Sequence, residues 1–146
     1  MHIQKIEIRN IRSVRNFTWE ISDPDSLAGW HVLIGDNGSG KSTVLRSIAL
    51  ALVGEKNMAG LRQNWNDWLT QNQSEGSITL SLVRDEDYDD VSNRGRTTKN
   101  LQKNKPFPIS LAFERDEKDY ILINNRSKTK SEVDPFRYVW GTGSGW

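Results

Sequence analysis

Apolar residues recur at Ile3, Ile6 and Ile8 among Gln4, Glu7 and Arg9, and again at Val14, Phe17, Trp19 and Ile21. A period near two puts one row of side chains on a core and the other in water, so residues 3–8 and 14–21 are predicted as strands of a sheet with one wet face. A tight polar corner, Asn10-Ile11-Arg12-Ser13, joins them, and Asp23-Pro24-Asp25-Ser26 marks a loop. Residues 30–34, WHVLI, form a short apolar run instead, the pattern of a strand buried on both faces.

From Lys41 the period becomes helical. Val44, Leu45, Ile48, Ala49 and Leu52 share one face, Arg46 and Ser47 point away, and Gly54 supplies a C-terminal stop. The prediction is a nearly wholly buried helix. Residues 55–76 are polar and rich in Asn and Gln, with Trp65, Trp68 and Leu69 spaced as one face of a short helix. Two tryptophans there read as a packed capping segment in preference to a ligand-stacking platform.

Alternation returns at residues 78–83, 109–113 and 120–123, the last two forming a hairpin over the turn at 115–118. Residues 85–105 are polar throughout, acidic first and basic later, and read as a long exposed loop. The tail to Trp146 is irregular and ends in a glycine-rich stretch, and no internal repeat is visible.

The bulk composition narrows the classes. A chain of 146 residues is the size of one domain and buries roughly two thirds of its unfolded surface. Its net charge is only +1 although 27% of residues are charged, so there is no global field for nucleic acid or anionic membrane. Any nucleic-acid surface has to be local. Arg94, Arg96, Lys99, Lys103 and Lys105 form one basic cluster and Arg126, Lys128 and Lys130 another. They suit salt-sensitive, sequence-blind phosphate contacts, or simply solvated loop tips beside the acidic run at 85–90. Cysteine is absent, which removes disulfides and thiolate metal sites, and no run nears the roughly 20 apolar residues of a membrane span. A cytoplasmic location, with no membrane partner, is the expectation.

The strongest chemical signal is GDNGSGKS at residues 35–42, which fits G-x-x-x-x-G-K-[ST] with a predicted strand before it and a helix after it. Glycines let the backbone wrap so that N–H groups at Gly35, Asn37, Gly38, Ser39 and Gly40 point inward at phosphate oxygens, and the helix adds the positive end of its dipole. Lys41 is expected to reach the β- and γ-phosphates. The Ser42 hydroxyl is expected to hold a Mg2+ that bridges them, with Thr43 near the same mouth. The N-K-x-D element of guanine readers is missing, which favours ATP.

IEIRNIRSVRNFTWEI followed by HVLIGDNGSGKSTVLRSIALAL resembles the N-terminal lobe of the SMC, RecF and related ABC-type P-loop ATPases. There an opening strand enters an Asn-Phe-Arg/Lys-Ser-like corner and a G-x-N-G-S-G-K-S/T loop follows about twenty residues after the second strand. Ile11 stands where the aromatic usually lies. The likeness is good over residues 1–53 and looser beyond. It implies an α/β fold in which lobe I of the cassette combines a mixed sheet with antiparallel hairpins over residues 1–126, with 127–146 as a glycine-rich tail. It also makes Arg12 a candidate second contact to the phosphates. Within the group the chain is similar to compact bacterial DNA-repair and anti-phage defence ATPases, including Septu and retron-associated types.

Hydrolysis in that group uses a Q-loop glutamine, an LSGG-like signature, an Asp-Glu after a buried strand, and a distal histidine. None has a convincing counterpart in the sequence. Asp85-Glu86 and Asp116-Glu117 follow stretches that alternate, with Arg84 or Arg115 directly before each pair, unlike the continuous apolar run of a central strand. Gln63, Gln71, Gln73 and Gln102 fall in polar connections, and His2 and His31 come too early. The resemblance therefore implies an incomplete cassette: it binds ATP and Mg2+ but turns over only with the missing half and a second ATPase subunit, coupled to DNA or to a defence effector. A module holding ATP as a structural ligand for protein assembly is the competing expectation.

Overall fold

A computed structural model of the chain describes residues 1–23, 27–61, 63–84 and 106–125. The expected loop at 85–105, both basic clusters, Asp85-Glu86, most of the 23–26 loop and the tail from 126 lie outside the described residues.

Period-two sequences form strands where expected, all but β2 somewhat longer: β1 is His2–Ile11, β2 Val14–Glu20, β3 Glu75–Val83, β4 Phe107–Arg115 and β5 Ile121–Asn125. They make one sheet in the order β2-β1-β3-β4-β5, with every neighbouring pair antiparallel. The register sets apolar side chains in rows across it: Phe17, Ile8, Ile78 and Leu111 in one, Trp19, Ile6, Leu80 and Ile109 in the next. Residues between them, such as Glu7, Thr79 and Ser110, form the polar face, where Thr79 Oγ1 lies 2.9 Å from Ser110 Oγ. Each large apolar side chain buried in those rows contributes about 1.5–3 kcal/mol.

Two sequence expectations fail here. Residues 30–34 are not a strand, and no described strand pairs with them, so the sheet has no parallel member among the described residues. Trp30 is 99% exposed, Val32 77% and Ile34 87%. The apolar run was read as doubly buried because continuous runs need neighbours on both sides, and the described chain supplies neither. The His31 ring meets Trp19 edge to face at 5.0 Å.

The second concerns α1, Lys41–Val53, which crosses β1, β3 and β4. Its buried stripe is Thr43, Val44, Ser47, Leu50 and Ala51, whereas Leu45 is 61% exposed. The helix is rotated from the expected face and buried on one side only. Apolar residues surround most of its circumference, so the sequence could not say which stripe meets the sheet. Gly54 ends it as predicted, its N–H donating to Leu50 O.

The rotation seals Ser47 completely, and among the described residues its Oγ has no hydrogen-bond partner. An unpaired buried hydroxyl is destabilising, so Ser47→Ala is expected to raise the unfolding free energy by about 1 kcal/mol, read as a higher urea midpoint at unchanged slope. A lower midpoint would mean that the hydroxyl is satisfied in solution.

After α1, a four-residue helix α2, Glu55–Met58, and two 3-10 turns, Ala59–Leu61 and Trp65–Asp67, lead back to β3. Trp68 and Leu69 are buried, 3% and 5% exposed, and Leu69 bridges Ile11. The two-tryptophan capping segment thus packs as the sequence suggests.

Candidate functional site

The chain turns at Asn37 and Gly38, then enters α1 through Gly40. Gly38 and Gly40 have φ of +83° and +94°, conformations an L-residue resists. At Gly40 there is also no room: a Cβ would lie 2.7 Å from Val14 Cγ2 and 3.5 Å from Ser13 Oγ. The loop is therefore pressed against the β1–β2 corner, which ties together two motifs some twenty residues apart in sequence.

No side chain caps α1 at Gly40, and its first intrahelical bond runs from Val44 N–H to Gly40 O at 2.9 Å. The N–H groups of the first turn consequently lack intrahelical acceptors, and the positive end of the helix dipole adds to them. Lys41 Nζ donates to Gly35 O and Asp36 O, each at 2.6 Å, drawing the start of the loop over its end. Ser39 N–H donates to Asp36 O at 3.2 Å. An ammonium beside the uncapped N–H groups of a helix start suits an anion with several oxygens.

The predicted residues divide by position. Gly35, Asn37, Gly38, Ser39, Gly40 and Lys41 make the loop, and Ser42 is exposed on the first turn of α1, placed to offer a hydroxyl to a hard cation. Mg2+ keeps several waters and takes oxygens from phosphate, so one protein hydroxyl beside a triphosphate fits it. Thr43 falls on the buried face, only 9% exposed, and does not share that mouth through its side chain. Arg12 lies in the corner, and its guanidinium carbon sits 5.5 Å from the centre of the Trp68 ring.

Beside the loop a cleft of about 470 Å3 opens between the hairpin and α1. Ser13, Arg15, Phe17, Ile34, Gly35 and Lys41 are among the residues that line it. That volume is in the usual range for a small-molecule site. Arg15 and Phe17 were not expected. The available signal was positional: β2 alternation puts Arg15 on the face of Phe17 and Trp19, where an apolar residue would be ordinary.

Asp116 has a structural place. Its Oδ1 accepts from Lys118 N–H at 2.9 Å and Tyr120 N–H at 2.8 Å, closing the β4–β5 turn, while Arg115 pairs with Asp119 at 2.7 Å. That is the hairpin-turn role expected of Asp116-Glu117.

Residues 1–136 match the family described as AAA ATPase domain. The Septu protein PtuA of Bacillus mycoides (strain KBAB4) is 40% identical over 82 residues, which are 55% of this chain and 12% of that protein. A structure of the recombination mediator protein RecF-ATP in the RecFOR pathway covers 86% of this chain with a TM-score of 0.55 and 13% identity, a likeness of fold. The chain spans 26% of that RecF chain. No described helix is long and apolar enough to cross a membrane.

Proposed function

The chain belongs to the AAA ATPase domain family, and on that premise we propose that it is the ATP- and Mg2+-binding N-terminal half of an SMC/RecF-like ATPase. The carrying observation is the cradle: uncapped N–H groups at the start of α1 face a loop whose ends are joined by Lys41. Loop N–H groups and Lys41 would receive the β- and γ-phosphates, and Ser42 would hold Mg2+, whose charge neutralises them when bound. The cleft along Arg15, Phe17 and Ile34 would take the base and ribose, Phe17 and Ile34 giving an apolar surface for the base.

Positioning and charge stabilisation supply nearly all of phosphoryl-transfer catalysis, so a half-site without a base to orient water binds and scarcely turns over. Hydrolysis then depends on a signature and Asp-Glu half and on a second ATPase subunit. Coupling to DNA or to a defence effector is the part of this proposal that the resemblance to SMC/RecF-like and Septu ATPases implies, and the 40% identity to a Septu protein PtuA over 82 residues supports it.

Titrating the 146-residue chain with Mg-ATP tests this. Saturable one-site binding is expected, with about 2.7 kcal/mol of added stability at a hundredfold excess over Kd and no phosphate release above the buffer blank. Steady turnover would overturn the division between the halves, and an unmoved melting curve would overturn the site.

A further inference from the structure

Among the described residues, two cations and no carboxylate line the cleft beside the phosphate loop: Arg15 from β2 and Lys41 from α1. On a chain whose net charge is +1 that is a local excess of one sign, in a cavity whose walls focus its field. Lys5 in β1 is matched by Glu7 at 3.5 Å and Glu20 at 3.6 Å, and Arg115 in β4 by Asp119 at 2.7 Å. Arg15 is exposed and has no ion pair among the described residues.

The cleft also has a definite course along the sheet. Five consecutive residues, 13–17, line it, and because side chains alternate between the faces of a strand, an unbroken run means that it follows a strand's rim. Among the described residues β2 is the last strand on its side of the sheet, so that rim is its free edge. Val14 fixes where the edge meets the cradle, its Cγ2 lying 2.7 Å from the point a Cβ on Gly40 would occupy. Arg15 is the next residue, and Phe17 follows about 7 Å further along the strand.

We propose that Arg15 binds the phosphate chain of the nucleotide, as a second cation in the cleft that Lys41 lines. This rests on the reading of the loop as a triphosphate site. The base lies against Phe17 and Ile34, and Arg15, two residues nearer the cradle than Phe17, meets the phosphates where they leave it. A triphosphate keeps negative charge beyond what Mg2+ and one ammonium offset. A guanidinium is permanently charged and presents paired N–H groups that fit two phosphate oxygens at once. Having no acid to release, Arg15 gives up only water and side-chain freedom on binding.

Calorimetry on the full chain with Mg-ATP and with Mg-tripolyphosphate, which has the phosphates without base or ribose, tests this. Arg15→Gln keeps length and polarity but not charge and is expected to weaken both ligands about tenfold, the size of one charge-assisted bond. Arg15→Lys keeps the charge and should stay within about threefold of wild type for both. A weaker Mg-ATP with unchanged Mg-tripolyphosphate would assign Arg15 to the base or ribose and overturn the proposal. Wild-type affinity in Arg15→Gln, or equal losses in the two variants, would overturn it as well.

The urea midpoint without ligand should be the same in all three proteins, since an exposed side chain without an ion pair contributes little to stability. A loss of affinity seen only where the midpoint also falls would overturn the assignment. Loss on Lys41→Ala with none on Arg15→Gln removes this proposal and leaves the phosphate loop standing. No binding of either ligand by the unaltered chain removes both.

Discussion

Lys41→Ala is expected to weaken Mg-ATP binding by about two orders of magnitude, roughly 2.7 kcal/mol, the scale of losing a charge-assisted bond to phosphate. Its ammonium is the charge aimed into the loop, held 2.6 Å from each of two carbonyls that are weaker partners than a phosphate dianion. Binding then exchanges neutral acceptors for ionised ones at the same nitrogen, a gain alanine cannot make. Arg15 lines the same cleft, so Lys41→Ala also measures whether a second cation there can take over its part. Calorimetry on the two proteins measures the difference, and an affinity within threefold of wild type would mean that Lys41 serves only to shape the loop.

The largest expected effect on stability comes from Gly76→Ala. This glycine lies opposite Phe113 in the β3–β4 register, where β1 ends and its corner is clamped by hydrogen bonds from Arg12 N–H to Trp68 O and from Thr70 N–H to Asn10 O. An added Cβ would lie 2.7 Å from Leu69 Cδ2, 2.9 Å from Asn10 O and 3.0 Å from Arg9 O. Leucine can change rotamer, but the carbonyls belong to a paired strand and the clamped corner. Overpacking of that kind destabilises by about 2–3 kcal/mol, which chemical denaturation resolves easily. Leu69→Ala in the same chain should recover part of the loss by removing the nearest atom, and the cycle measures that coupling. A change under about 0.5 kcal/mol would show that the corner can retreat from β3.

Patterns that depend on a single neighbour were legible. Strands β1 to β5 follow from alternation because an antiparallel sheet with one wet face imposes that period directly, and GDNGSGKS specifies its own turn through glycines. Patterns that depend on distant partners were not. The run at 30–34 has the composition of a central strand, yet composition cannot state whether neighbours are present, and here His31 on Trp19 is its described attachment. In α1 both Val44 and Leu45 are apolar, and only the sheet chose between them. Arg12 is suggested as a phosphate contact by resemblance, whereas the structure sets its guanidinium carbon 5.5 Å from the centre of the Trp68 ring, contributed from 56 residues later, and no local spacing announces that meeting. Arg15 was hidden differently, as one more basic residue in a strand rich in polar ones.

Sheet order has a consequence for communication within the molecule. β1 runs for ten residues, about 30 Å, from His2, paired with Val83, to Ile11 beside the cradle. Arg84 and Pro106 are rooted at the His2 end, because Val83 and Phe107 close that end of β3 and β4. At physiological ionic strength the screening length is about 8 Å, so charge arriving on the cradle is invisible electrostatically at those roots. A signal passed between them through the sheet would be a displacement along β1, not an electrostatic one, and would persist in high salt.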